Sequence, residues 1–132
     1  MGERGSILPA VFVLAFAGLL LLGLAVDLGR WGAAWREAAF AADAGAEAGA
    51  AMIDPAAVYR GDLLLDPALA EDVAADAALR ARSRPERVVV TIGTIDEVCV
   101  TVSQPFRPVL LRAAGVGSVE VTADACARPA QG

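Results

Sequence analysis

The stretch ILPAVFVLAFAGLLLLGLAV, residues 7–26, decides how the rest of the chain is read. It carries no charged residue. As a helix rising about 1.5 Å per residue it reaches ~30 Å, the thickness of a bilayer's hydrocarbon core. It is expected to cross a membrane. Pro9 lies in the first helical turn, where a missing N–H costs little. A secretory signal has a shorter apolar centre, about 7–15 residues, and then a small-residue cleavage site. Here the run leads directly into Asp27-Leu28-Gly29-Arg30-Trp31, so the segment reads as an uncleaved anchor.

Four residues mark the membrane exit: Asp27, Arg30, Trp31 and Trp35. The two tryptophans are four apart and share a helical face, and amphipathic indoles favour the headgroup region. Arg30 can direct its guanidinium outward from there. The other placement has both indoles inside a small soluble domain. Asp27 and Arg30 are spaced for an i,i+3 ion pair. Flanking charges do not orient the segment: Arg4 and the amino terminus oppose Glu3 on one side, and Arg30 and Arg36 oppose Asp27 and Glu37 on the other.

The apolar run does not stop the helix. Residues 27–52 hold no proline, and their glycines are isolated in an alanine-rich background, so the helix is expected to continue as one rod. A helix over residues 7–52 would be about 70 Å long, too long for the bilayer alone. Along this extension Ala38, Ala42, Gly45 and Gly49 form a small-residue face that another helix could approach closely. The plainer reading is alanine-rich filler.

Asp54-Pro55 ends the rod, because a residue before proline is pushed out of the helical region. A connector with Gly61 comes next. Asp66-Pro67 then reads as an N-cap with proline at the first helical position, opening a second helix to about Arg82 with Leu69, Val73 and Ala77 on one face. From Arg87 the period becomes two. Residues 88–92 and 98–102 suggest a hairpin around Gly93-Thr94, although a two-residue turn there would mix Asp96 with the valines. Residues 119–123 form a third strand after a segment rich in proline and glycine.

The cysteines test this arrangement. Cys99 and Cys126 fall on the polar faces of the second and third strands. An antiparallel register that sets Cys99 opposite Cys126 also sets Val100 opposite Ala125 and Val102 opposite Ala123. One register satisfies the apolar face and a disulfide together; two unpaired thiols are the alternative. The expected fold is α+β: a tail (1–6), a transmembrane helix (7–26), its helical extension (27–53), and a head (54–132) with one further helix and a three-stranded antiparallel sheet.

Composition narrows the function. Of 132 residues, none is histidine, which excludes Ser-His-Asp and Cys-His centres and any histidine-bound zinc. The net charge of −5 is scattered and offers no footprint for nucleic acid. Glu71 and Asp72 are the nearest approach to a carboxylate pair, yet adjacent helical residues point different ways. The chain is therefore read as no enzyme, with no catalytic or metal-ligating residues, no cofactor and no small-molecule substrate. Its partners are expected to be the lipid bilayer and other protein helices.

Three stretches together resemble the TadE/TadG-like proteins of the tight-adherence (Flp-type) pilus system: Arg4-Gly5, residues 23–30 (GLAVDLGR) and Ala41-Ala42-Asp43-Ala44. Residues 119–127 resemble the Val/Thr/Ala-rich ending of their small extracytoplasmic region. The resemblance implies a pseudopilin-like, single-pass protein of the cytoplasmic membrane, its head outside, that joins other subunits in assembling a pilus or secretion apparatus. Members processed by prepilin peptidase carry a glutamate five residues after the cut glycine; after Gly5 that position is Ala10. The shortness of the chain suits a minor pseudopilin or assembly factor. The competing expectation is a membrane-anchored extracytoplasmic binding module with a disulfide-stapled β-head.

Overall fold

The computed structural model describes residues 7–81, 85–93 and 97–130; Gly5 and its surroundings lie outside them. The rod is a single α-helix, α1 (Ile7–Ala50). Over residues 7–22 it stands exposed, Gly18 alone being half-buried. Its other half is core: Ala38, Ala41, Ala42, Gly45, Ala46, Gly49 and Ala50 are all buried.

After α1 the chain reverses in a short loop pinned on both sides. The Asp54 N–H donates to the Leu64 carbonyl at 2.8 Å, and the Asp66 N–H to the Met52 carbonyl at 3.0 Å. Inside this loop the expected connector contains one more helix, α2 (Pro55–Tyr59). Asp54 Oδ1 accepts the Ala56 N–H at 2.8 Å, so Asp54-Pro55, which is separated from the end of α1 by three residues, starts α2. Gly61, at φ +86°, turns the chain back.

The second expected helix is α3 (Pro67–Leu79), capped by Asp66, whose Oδ1 accepts the Leu69 N–H at 3.2 Å. Its buried residues are Ala70, Ala74 and Ala78, one position on from the expected Leu69, Val73 and Ala77. The cause is the closeness of α1. A Cβ at Gly45 would meet the Ala74 carbonyl oxygen at 2.9 Å, and one at Gly49 would meet the Ala74 Cβ at 2.9 Å. Only methyl groups fit such a seam, so the larger side chains of α3 are turned to its margins.

The strands β1 (Arg87–Ile92), β2 (Val98–Phe106) and β3 (Val119–Ala127) form one antiparallel sheet in the order β1-β2-β3. β1 pairs Val88 with Val102, Val90 with Val100 and Ile92 with Val98. That register needs a five-residue connection rather than a two-residue turn, and it is closed by the Gly93 N–H on the Glu97 carbonyl at 2.7 Å. The valines thus meet valines. β2 runs beyond its expected end, through Pro105. Proline is tolerated there because the ladder with β1 ends at Ser103, leaving one side of β2 free.

Helices α1 and α3 cover one face of the sheet. Val98, Val100 and Val102 point into this layer and are fully buried, with Ala123 beside them. Each buried valine contributes about 1.5–3 kcal/mol, while the helices supply mostly alanine. The core is thin. On the opposite face Cys99 and Cys126 are opposed in register and joined as a disulfide, and the expected pairs Val100–Ala125 and Val102–Ala123 are formed in the same ladder. Closing a loop of 27 residues constrains the unfolded chain by roughly 3.5 kcal/mol.

Candidate functional site

The place where the bare half of α1 gives way to the covered half is built around Asp27. Its side chain is 1% exposed although it comes directly after the apolar stretch. The carboxylate accepts three backbone N–H groups from the turn after β2: Val109 on Oδ1 at 2.8 Å, and Leu110 and Leu111 on Oδ2 at 2.9 and 2.8 Å. These bonds, that of Leu111 foremost and then that of Val109, hold the carboxyl below its ordinary pKa against the opposing effect of desolvation. The Leu110 bond and the charge of Arg30 add to this lowering. Charge-assisted bonds of this kind are stronger than neutral ones. Spacing along the helix suggested Arg30 as the partner of Asp27. The structure corrects this: the carboxylate is held by a segment more than eighty residues away.

Around this clamp the packing is close. A Cβ at Gly23 would lie 2.6 Å from Leu110 Cδ1, so the leucine rests on bare helix backbone one turn before Asp27. Farther along α1, Gln104 Nε2 donates to the Ala34 carbonyl at 2.6 Å. Gln104 shares the helix-facing side of β2 with the buried valines, and its amide finds a partner on α1. The turn itself is closed by the Val116 N–H on the Leu111 carbonyl at 3.0 Å, with Gly115 at φ +88°.

Of the residues expected at the membrane exit, Arg30 is exposed, and Trp31 and Trp35 are 45% and 47% exposed, outside the core. Counting from Val26, Trp31 stands about 7 Å along the helix axis and Trp35 about 13 Å. The headgroup layer is roughly 6 Å deep on each side, so on an untilted helix only Trp31 falls within reach of it.

The small-residue set packs inside the chain itself. Gly45 and Gly49 lie against α3 at Ala70, Ala74 and Ala78 and against β2 at Val98 and Val100, and Ala38 and Ala42 are buried in the same core. While the head is folded this face is not open to another subunit.

Among the described residues, one cluster brings ligand-type groups together: Glu97 with Cys99 and Cys126. Sulfurs joined in a disulfide offer no thiolate, and Arg128 Nε donates to Glu97 Oε1 at 3.1 Å. The cluster is a stapled, ion-paired end of the β2–β3 ladder, and the disulfide occupies the two sulfurs a metal would need.

Sequence reasoning missed the partners of Asp27, the seat of Leu110 on Gly23, and the Gln104 bond. The signals were an acid placed immediately after an apolar run and a glycine within it. Neither names its partner, because the pairing spans most of the chain. No protein-family model, curated protein or solved structure matches the chain, so its functional reading rests on this geometry and on the resemblance carried by residues 4–5, 23–30 and 41–44.

Proposed function

We propose that the chain is a single-pass, pseudopilin-like structural protein of the cytoplasmic membrane, with its head extracytoplasmic, that takes part in assembling a Flp/Tad-type pilus or a related secretion apparatus. One observation carries this reading. α1 is continuous, and its bare apolar half and its core-forming half are the same helix. A mere tether needs no such fusion, because a flexible link would hold a binding domain at the surface equally well. A rigid helix that is core at one end and uncovered at the other is suited to setting a head at a fixed angle among neighbouring helices. Since the small-residue face is occupied by α3 and the sheet, the longest exposed apolar surface of α1 that subunits could meet is residues 7–22. The cross-strand disulfide supports the extracytoplasmic placement, because such bonds persist in oxidising compartments.

The test replaces residues 7–22 by an unrelated leucine-rich spanning sequence in the full-length chain. An assembly subunit then still enters the membrane but loses co-purification with its partner subunits. Retained co-purification and function would point instead to the anchored binding module, whose anchor is interchangeable.

A further inference from the structure

The turn held by Asp27 has an apolar outer side that is left uncovered among the described residues. Val109 is 57% and Leu110 is 48% exposed, in a segment fastened to α1 by three hydrogen bonds. Its height along α1 is fixed by the same contacts. Asp27 is the first residue after the apolar stretch, and Leu110 reaches back to Gly23, about 6 Å farther into that stretch. This aliphatic pair therefore borders whatever surrounds the last turn of the apolar run. Two cations bracket it. Arg107 and Arg112 are both largely exposed and line one open groove with Pro108 and Ser118. An aliphatic tip flanked by arginines suits the boundary between acyl chains and phosphates, where arginine keeps its charge at the headgroups while its stem lies on apolar surface.

We propose that residues 107–117 form a second membrane contact: Val109 and Leu110 enter the boundary of the bilayer that α1 crosses, and Arg107 and Arg112 meet the phosphates of its lipids. The occupant is lipid because the patch is continuous with the lipid-facing surface of α1 and lies at its depth. The proposal rests on residues 7–26 spanning the bilayer, and it adds that the head is fastened to the membrane at two points.

The experiment uses the full-length chain in vesicles of phosphatidylethanolamine and phosphatidylglycerol, with the photocrosslinking residue p-benzoylphenylalanine in place of Val109, Leu14 or Tyr59 in turn. Leu14 lies in the apolar run, and Tyr59, 93% exposed, ends α2 beyond the far end of α1. Mass spectrometry reads the adducts. The expected result is lipid adducts at Val109 with a yield of the same order as at Leu14, and their loss at Tyr59. Lipid adducts at Leu14 with only chain-to-chain adducts, or none, at Val109 would overturn the second contact and leave the span standing. Absence of lipid adducts at Leu14 as well would remove the span and the proposal together. In a chain carrying R107Q and R112Q the yield at Val109 should fall; an unchanged yield overturns the phosphate contacts.

Discussion

Two glycines of α1 should respond to the same substitution with opposite sign. At Gly32 a Cβ meets nothing within 4 Å, so Gly32→Ala should simply recover helix propensity, about 1 kcal/mol. At Gly49 the new Cβ would lie 2.9 Å from the Ala74 Cβ, 2.9 Å from Val98 Cγ1 and 3.0 Å from the Ala70 carbonyl oxygen. Carbon atoms prefer about 3.5–4.0 Å. Two of these three neighbours cannot rotate away, one being backbone and the other a methyl fixed to backbone. The overpacking cost should thus fall near the top of the usual range of about 1–3 kcal/mol. After subtracting the same propensity gain, Gly49→Ala loses about 2 kcal/mol. The two variants should then differ by about 3 kcal/mol. At roughly 4 °C per kcal/mol for a chain of this size, that is a separation of ~12 °C in midpoint. Thermal unfolding of the full-length protein in detergent micelles, followed by circular dichroism, reads it directly. If Gly49→Ala unfolds at or above the wild-type midpoint, α1 and α3 are not in the close seam described, and the explanation for the alanine face of α3 fails with it.

Other outcomes concern the clamp, the staple and the cap. Asp27→Asn should speed amide exchange at Val109, Leu110 and Leu111, because a carboxamide presents one oxygen and an N–H where three donors converge; unchanged protection would remove Asp27 from that role. The Asp27 pKa is lowered in the folded state, so its contribution is complete above the unfolded value of about 3.9 and is lost only as pH falls below that, through the folded value. Exchange at these amides should accordingly show no clamp-dependent change between neutral pH and about 5, and release in stronger acid. Replacing Cys99 and Cys126 together by serine should lower stability by about 3.5 kcal/mol, read by urea unfolding of the full-length chain, whereas a loss below about 1 kcal/mol would show the staple to be incidental. Asp66→Ala should cost about 1 kcal/mol through the lost α3 cap, measured in the same way.

The periodic features of this fold were legible in the sequence. The apolar run, the alanine-rich continuation and the Asp66-Pro67 start each depend on neighbours a few residues away, and they gave α1 and the start of α3. The β2–β3 register was also readable, because Cys99 and Cys126 fixed it while the apolar alternation agreed. What stayed hidden depends on distance along the chain. The burial of α3 through Ala70, Ala74 and Ala78 instead of Leu69, Val73 and Ala77 is a steric result of Gly45 and Gly49, and hydrophobicity alone points the other way. α2 is hidden because Asp54-Pro55 signals the end of one helix so strongly that it masks the beginning of the next. At the end of the apolar run, Asp27 was visible as an unusual acid, but Arg30 three residues on looked like its partner. Nothing local in residues 109–111 marks their N–H groups as the true donors.

The unbroken course of α1 makes the head a pointer. Its far end stands about 50 Å from the middle of residues 7–26, at about 1.5 Å per residue. Spanning helices tilt by about 20° on average, and they tilt further when the bilayer is thinner than their apolar length. With no hinge in the helix, such a tilt carries the far end of the head sideways by about 17 Å. A change of a few degrees in lean, or a turn of the helix about its own axis, is therefore delivered in full to the far end. With residues 7–26 spanning a bilayer as proposed, its local thickness becomes a displacement of the far end of the head, magnified by the length of the lever.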